Sequence, residues 1–406
     1  MLLYWIWFAE LKEITLLQKH RLLKHFHDPE EIYHTAEAVF RKMELPEKLV
    51  QALQNKALFE AEKILADCEK QNIGILPVDD TAYPEKLRNT ADAPIVLYYN
   101  GILPDWDAVP FIGIVGTRKA SAYGLQVAYQ MGNQIAAGGG FVVSGGAAGA
   151  DTAAMQGALE AGFPVVGVLG CGVDVIYPYS NRKLFAAVVQ KGCLLSEYPP
   201  GAKALSWHFP ARNRIISGIS SGVLVVEAPE KSGALITARH SLEQGRDVFV
   251  VPGNINNSSC AGSNALLQEG AIPALSGWDV LETYKFLYPN RLKKPEKTTL
   301  FTAEQSSAKV AQKPVKPEKR EKIEESARKK FIDNGAISPY SVLNNNNSAL
   351  NETEQAVLAQ LTREPQEPAD LIAKLNLPSG KVLSVLTLLT VKGFACKYPG
   401  GRFGLK

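Results

Sequence analysis

Over residues 1 to about 72, apolar side chains return at helical spacing. Leu11, Ile14, Leu17, Leu22 and Leu23 form one such set, and Leu49, Leu53 and Leu58 begin another. That recurrence lays an apolar stripe along a helix, and no strand pattern interrupts it, so residues 1–72 are read as a helical module. From 73 to 290 the texture changes. Short apolar runs at Ile95–Tyr99, Phe111–Val115, Phe141–Val143, Val165–Leu169, Leu194–Leu195, Val223–Val226 and Val248–Val251 alternate with helical stretches near 122–137, 151–161, 181–190, 212–219, 234–244 and 264–269. Strand–helix alternation means βαβ units. Runs that are apolar at almost every position mean strands covered on both faces. The expectation is an α/β domain with a doubly wound, mostly parallel sheet.

Residues 291–350 are rich in Lys, Pro, Glu and Ser and end in Asn344-Asn345-Asn346-Asn347. This composition reads as a basic, disordered linker. Residues 351–406 are compact again. Asn351 is placed to cap a helix over 352–361, with Glu354 three residues on. Helices over 368–375 and 378–391 follow, and then a two-stranded ribbon spans Gly393–Phe403. Three helices and a ribbon make a winged helix.

The apolar start, Met1–Phe8, stops at Glu10 and has no basic lead. It is too short to span a bilayer and reads as the buried start of a helix. Cys68, Cys171, Cys193, Cys260 and Cys396 form no CxxC pair and no zinc spacing, so reduced thiols in a cytoplasmic protein are expected. His20, His25, His27 and His34 cluster, but read as solvated helix residues rather than a metal site. The net charge is +3, yet residues 291–350 hold thirteen basic and seven acidic side chains, which leaves the remainder net negative. A nucleic-acid site on the folded part would therefore rest on local clustering, not bulk charge.

Four junctions could carry chemistry. Gly113-Ile114-Val115-Gly116-Thr117-Arg118 runs from a strand into a turn. Ligands of open α/β sheets sit at the carboxyl ends of strands, and the planar fork of Arg118 suits a phosphate there. Ser144-Gly145-Gly146-Ala147-Ala148-Gly149-Ala150-Asp151 also leaves a strand and enters a helix. Its small residues admit a close-lying anion, its amides attract one, and Asp151 could cap the helix. It does not fit GxGxxG, and the next strand ends Gly170-Cys171-Gly172 rather than in an acid, so a dinucleotide site is disfavoured. Trp207-His208-Phe209-Pro210-Ala211-Arg212-Asn213-Arg214 places cations beside aromatic rings, the pairing used by single-strand binders; Arg214 is expected to make an internal ion pair. Glu227-Ala228-Pro229-Glu230-Lys231-Ser232-Gly233-Ala234 lacks the glycines of a P-loop, so ATP hydrolysis is not expected.

Taken together, Gly116-Thr117-Arg118, Ser144 to Asp151, Phe209 to Arg214, Ser232-Gly233-Ala234-Leu235-Ile236-Thr237-Ala238, Val251-Pro252-Gly253, Gly262-Ser263-Asn264 and Gly270-Ala271 fall in an order that resembles the DNA-processing protein A (DprA/Smf) family. The resemblance covers about 75–290. It implies an extended Rossmann-like domain that forms a homodimer, no enzymatic activity and no cofactor. It also implies binding of single-stranded DNA during natural transformation, and loading of the RecA recombinase on that strand. DNA contacts would fall on Gly116, Thr117, Arg118, Ser144, Gly145, Gly146, Gly149, Phe209, Arg212, Asn213 and Lys231. Loop amides near Gly145 and Gly146 would bind one phosphate, and Phe209, with Trp207 as a second ring, would stack on a base. Where family members often carry a lysine, this chain has Ser206-Trp207-His208, with Lys203 farther back. The N-terminal module is similar to sterile-alpha-motif or helix-hairpin-helix modules of the family, without hairpin glycines between residues 14 and 26.

The main rival is a nucleotide phosphoribohydrolase of the lysine-decarboxylase-like Rossmann group. Its paired-glycine, Gly-Thr and glutamate signature would fall near 229–237, where this chain has no glutamate in register. A transcription factor built on the winged helix is the third reading. The apolar run Val382–Leu389 in its third helix argues against sequence readout and for packing or protein contact.

Overall fold

The computed structural model describes residues 1–294 and, beyond them, 352–362, 364, 366–375, 379–391, 394–398 and 402–405. The described residues fall into two compact units, one on each side of the intervening stretch. Most of the expected linker lies outside the described residues, as does the Asn351 cap. The linker's first four residues do not behave as linker: Leu292 is buried, and the Lys293 amide donates to the Gly138 carbonyl at 3.0 Å.

The first unit opens with six short helices: α1 (Leu2–Glu10), α2 (Leu16–Leu23), α3 (Pro29–His34), α4 (Glu37–Lys42), α5 (Glu47–Gln54) and α6 (Phe59–Gln71). Trp5, Ile6, Trp7 and Phe8 of α1 are buried, as the apolar start predicts. Thr15 and Gln18 form a reciprocal capping box on α2. These helices share one continuous core with the sheet that follows, running from Trp5 to Leu292.

The α/β part contains β1 (Gly74–Pro77), α7 (Glu85–Arg88), β2 (Val96–Gly101), β3 (Phe111–Val115), α8 (Ala122–Ala137), β4 (Phe141–Ser144), α9 (Ala150–Glu160), β5 (Val165–Leu169), α10 (Arg182–Lys191), β6 (Cys193–Ser196), α11 (His208–Ile219), β7 (Gly222–Val225), α12 (Gly233–Glu243), β8 (Asp247–Val250), α13 (Ala261–Gln268), β9 (Ile272–Pro273) and α14 (Gly277–Glu282). Among the described residues these strands make a nine-stranded sheet in the order β1-β2-β6-β5-β4-β3-β7-β8-β9. From β6 to β9 every pairing is parallel; β1 and β2 add an antiparallel edge. Strands β3, β5, β6 and β7 are buried at every position. Helices pack along both sheet faces, α8 against α9 and α9 against α10 in one row, α11 against α12 in another.

The order fixes where a ligand can sit. From β3 the chain winds outward through β4, β5 and β6, then returns to the other side of β3 and winds through β7, β8 and β9. Loops leaving β3 and β7 therefore part in opposite directions and open a crevice at the carboxyl edge, the switch point of a doubly wound sheet.

The second unit holds α15 (Glu352–Gln360), α16 (Pro368–Leu375), α17 (Ser379–Val391) and an antiparallel ribbon of β10 (Ala395–Tyr398) and β11 (Arg402–Leu405). Val357, Leu371, Val382, Leu386, Leu389 and Phe403 form its own small core. This is the winged helix that the sequence predicts.

Candidate functional site

Leaving β3, the chain crosses the carboxyl edge as Gly116-Thr117-Arg118-Lys119, and Ser121 then caps α8 by accepting the Gly124 amide at 2.9 Å. This turn is clamped from beneath by Glu227, two residues past β7 and 1 % exposed. Its carboxylate accepts the Ser121 amide at 2.9 Å and the Ser121 hydroxyl at 2.6 Å, while its backbone carbonyl accepts the Thr117 amide at 2.7 Å. Any Cβ on Gly124 would fall inside that carboxylate. The clamp joins the loops after β3 and β7 and leaves Arg118 and Lys119 exposed. The sequence reading includes Glu227 in the fourth junction but gives it no role. The available signal was an acid closely following an all-apolar strand, a position where an uncompensated charge would be costly.

The Ser144–Asp151 loop is built differently from expectation. Ser144 is fully buried and donates to the Ile114 carbonyl at 2.7 Å, so it faces the core rather than a ligand. Gly146 (φ +62°) is also buried, and a Cβ there would press on the Phe185 ring. Gly149 (φ +87°) caps α9, with no room for a Cβ beside the Thr117 carbonyl at 2.5 Å. Asp151 is therefore not the cap. Its buried carboxylate turns back toward the amides of Gly116, Gly145 and Ala147. The Gly145 amide thus faces the chain's own carboxylate. Burial raises the Asp151 pKa to about 6, against the opposing pull of Arg212 and these amides.

Helix α11 begins at His208, with Pro210 in the first turn, where a missing N–H costs nothing. Arg212 is 3 % exposed. Its Nη1 donates to the Gly145 carbonyl at 2.6 Å and to the Val168 carbonyl. Burial lowers its pKa to about 10, while Asp151 draws it back up. A Cβ on Gly145 would lie 2.5 Å from Arg212 Nη1 and 2.6 Å from Asp151 Oδ2. Arg212 thus serves as an internal strut whose Nη1 is held by backbone carbonyls. Arg214 makes the internal ion pair expected of it, with Glu197 at 2.6 Å and Asp92 at 3.4 Å. The Asn213 side-chain amide donates to the Gly233 carbonyl at 3.1 Å, tying α11 to the start of α12.

Between these loops lies a cleft of about 380 Å³, lined among others by Gly116, Arg118, Lys119, Phe209, Arg212 and Lys231. It sits on the switch point between β3 and β7. Thr117 and Asn213 also line it; Ser144, Gly145, Gly146 and Gly149 do not. Gly145 lines a smaller neighbouring recess with Arg118, Tyr177 and Phe209. The Arg118 guanidinium lies 4.9 Å from the Phe209 ring centroid, a cation–π contact. Lys231 is exposed at the far lip, and Ser232 caps α12 by accepting the Ala234 amide at 3.2 Å.

Residues 74–285, more than half of the chain, match the family model of DNA recombination-mediator protein A. The chain belongs to the DNA-processing protein A (DprA/Smf) family. Residues 344–401 match the model of the DprA winged-helix domain. DprA of Bacillus subtilis is 41% identical over 220 residues, covering 54% of this chain and 74% of that protein. Protein Smf of Synechocystis is 36% identical over 281 residues, covering 67% of this chain and 70% of that protein. The X-ray structure of DprA from Streptococcus pneumoniae superposes with a TM-score of 0.62 at 33% identity, covering 70% of this chain and 98% of that one. The Rossmann-like sheet with a C-terminal winged helix is thus the DprA architecture. Among the described residues no helix is long and apolar enough to cross a membrane. No cluster of three or more His, Cys, Asp or Glu is placed there to hold a metal ion.

Proposed function

We propose that the chain binds single-stranded DNA along the carboxyl edge of its sheet, shields strands taken up in natural transformation and loads the RecA recombinase on them. One observation carries the reading: Arg118, an exposed guanidinium resting on an aromatic ring, stands at the switch point between β3 and β7. Lys119 and Lys231 add exposed cations around the same cleft. Cations follow a phosphate backbone, and aromatic rings take unpaired bases that a duplex keeps stacked inside. Binding on such a surface is salt-sensitive and nearly sequence-blind. Family membership supports the recombinase step and a homodimer, whose two clefts would raise avidity along one strand. Five free cysteines fit a reducing cytoplasm.

A purely binding role, without catalysis, agrees with how the acids near the cleft are used. The Glu227 carboxylate is held by Ser121, and Asp151 is buried against amides. The test is a titration of the full chain with labelled single- and double-stranded oligonucleotides of equal length at two salt concentrations. Preference for the single strand, lost in Arg118→Ala/Lys231→Ala, is the expected result. Equal duplex binding, or an unaffected double variant, would overturn the assignment; release of free base from a nucleoside monophosphate would favour the hydrolase.

A further inference from the structure

Phe209, the aromatic residue that sequence motifs place in the site, has little free ring to offer. It is half-buried, with the Arg118 guanidinium at 4.9 Å, the Tyr177 ring at 5.3 Å, and Gly170 so close that a Cβ there would touch it at 3.0 Å. More open rings flank it in the chain: Tyr177 touches Phe209, Tyr179 follows Tyr177 by two residues, and Trp207 precedes Phe209 by two. Tyr177 is 43% exposed, Tyr179 72% and Trp207 65%. Large aromatic side chains left this open are uncommon on a protein surface.

Their presentation is fixed by the backbone beneath. The loop after β5 is pinned at one end by buried Val173 and at the other by buried Asn181. The Asn181 amide donates to the Gly146 carbonyl at 2.9 Å and to the Thr152 hydroxyl at 2.7 Å, and the Asp174 carboxylate receives the Gly201 amide at 2.9 Å. Tyr177 and Tyr179 therefore project from an anchored loop. Cations accompany them: Arg118 lines the Tyr177 recess, and Arg182 Nη1 lies 3.5 Å from the Tyr179 hydroxyl.

We propose that Tyr177, Tyr179 and Trp207 form a base-stacking track that extends the DNA path from the cleft, across β4, to the loop after β5, with Phe209 as the positioning residue beneath Arg118. The inference rests on the single-strand reading above. The cleft and the Tyr177 recess share Arg118, Ala147 and Phe209, so the surface is continuous. From β7 through β3 and β4 to β5 are three interstrand steps, roughly 14 Å at about 4.8 Å each. About four nucleotides cover that span at the roughly 3.4 Å rise per strand of duplex DNA, and fewer when stretched.

The test compares a labelled single-stranded oligonucleotide with an abasic one of the same backbone length, both against the full chain. Stacking on this track makes the base-bearing strand bind about tenfold more tightly or better. Tyr177→Ala/Tyr179→Ala removes that advantage and leaves the salt slope unchanged, while Tyr177→Phe/Tyr179→Phe restores it. Trp207 supplies a readout in the unmodified protein, because the other four tryptophans, Trp5, Trp7, Trp106 and Trp278, are buried. Its fluorescence is quenched by the base-bearing strand and not by the abasic one. Equal binding of the two strands by the unmodified chain, or an alanine variant that keeps the full advantage, overturns the track while the single-strand reading stands. Failure of the unmodified chain to bind either strand overturns both.

Discussion

The lip of the cleft and the layer directly beneath it are built from the same residue types and use them in opposite ways. On the lip, Arg118, Lys119 and Lys231 are exposed, and Arg118 has a ring for support. One layer down, Arg212, Asp151 and Glu227 are buried and turned toward backbone groups. A strand end entering a helix leaves amides and carbonyls without regular partners, and a charged side chain within reach satisfies them before any ligand does. The difference between a ligand-binding arginine and a structural one is thus decided by which backbone groups are near. Substitutions in the two layers should therefore separate stability from binding.

The largest effect is expected beneath the lip. Arg212→Met removes the partner of the Gly145 and Val168 carbonyls and leaves Asp151 without its nearest cation. Breaking a buried charged network costs about 3–5 kcal/mol, read as a lower urea midpoint, with DNA affinity per folded molecule less affected than stability. A variant as stable as the parent would return Arg212 to the lip as a ligand contact. Glu227→Gln comes next, weakening the charge-assisted bonds from Ser121 at a cost of about 1.5–3 kcal/mol. Because the loops after β3 and β7 share this clamp, some loss of DNA affinity should accompany the lower midpoint.

On the lip the pattern reverses. Arg118→Ala should leave the urea midpoint in place, weaken single-strand binding about tenfold and reduce the salt slope by about one. Loss of stability without a change in salt slope would put Arg118 in the structural layer with Arg212.

Much of this arrangement was legible in the chain. Runs apolar at every position, such as Phe111–Val115 and Val165–Leu169, coincide with β3 and β5, because strands buried on both faces allow no polar alternation. The edge strands β1 and β9 escaped notice: each is short and holds a proline, which the edge of a sheet tolerates. Helix α11 starts four residues before the expected 212 because Pro210 falls in its first turn and does not break it. The motifs located the cleft, since glycines at strand ends mark where chains turn closely. They did not rank Arg118 above Arg212. That ranking depends on the carbonyls of Gly145, just after β4, and of Val168, within β5, both far from Arg212 in sequence.

A titration separates the same two layers. Asp151 is held near pKa 6, above its ordinary 3.8, because burial outweighs the three amides and Arg212. Between those two values the folded chain keeps the proton and the unfolded chain releases it. Stability from this group is therefore fully present below about pH 4, falls as pH rises toward 6 and is flat above. Asp151→Asn has no such proton to lose. The stability difference, parent minus variant, should shrink from pH 4 to 6 and stay constant to pH 8 in urea denaturation, while Arg118→Ala should follow the parent throughout. A difference that grows over that window would mean that amides and Arg212 outweigh burial. The carboxylate would then be the form the loop prefers, and the buried layer would be electrostatically satisfied rather than strained.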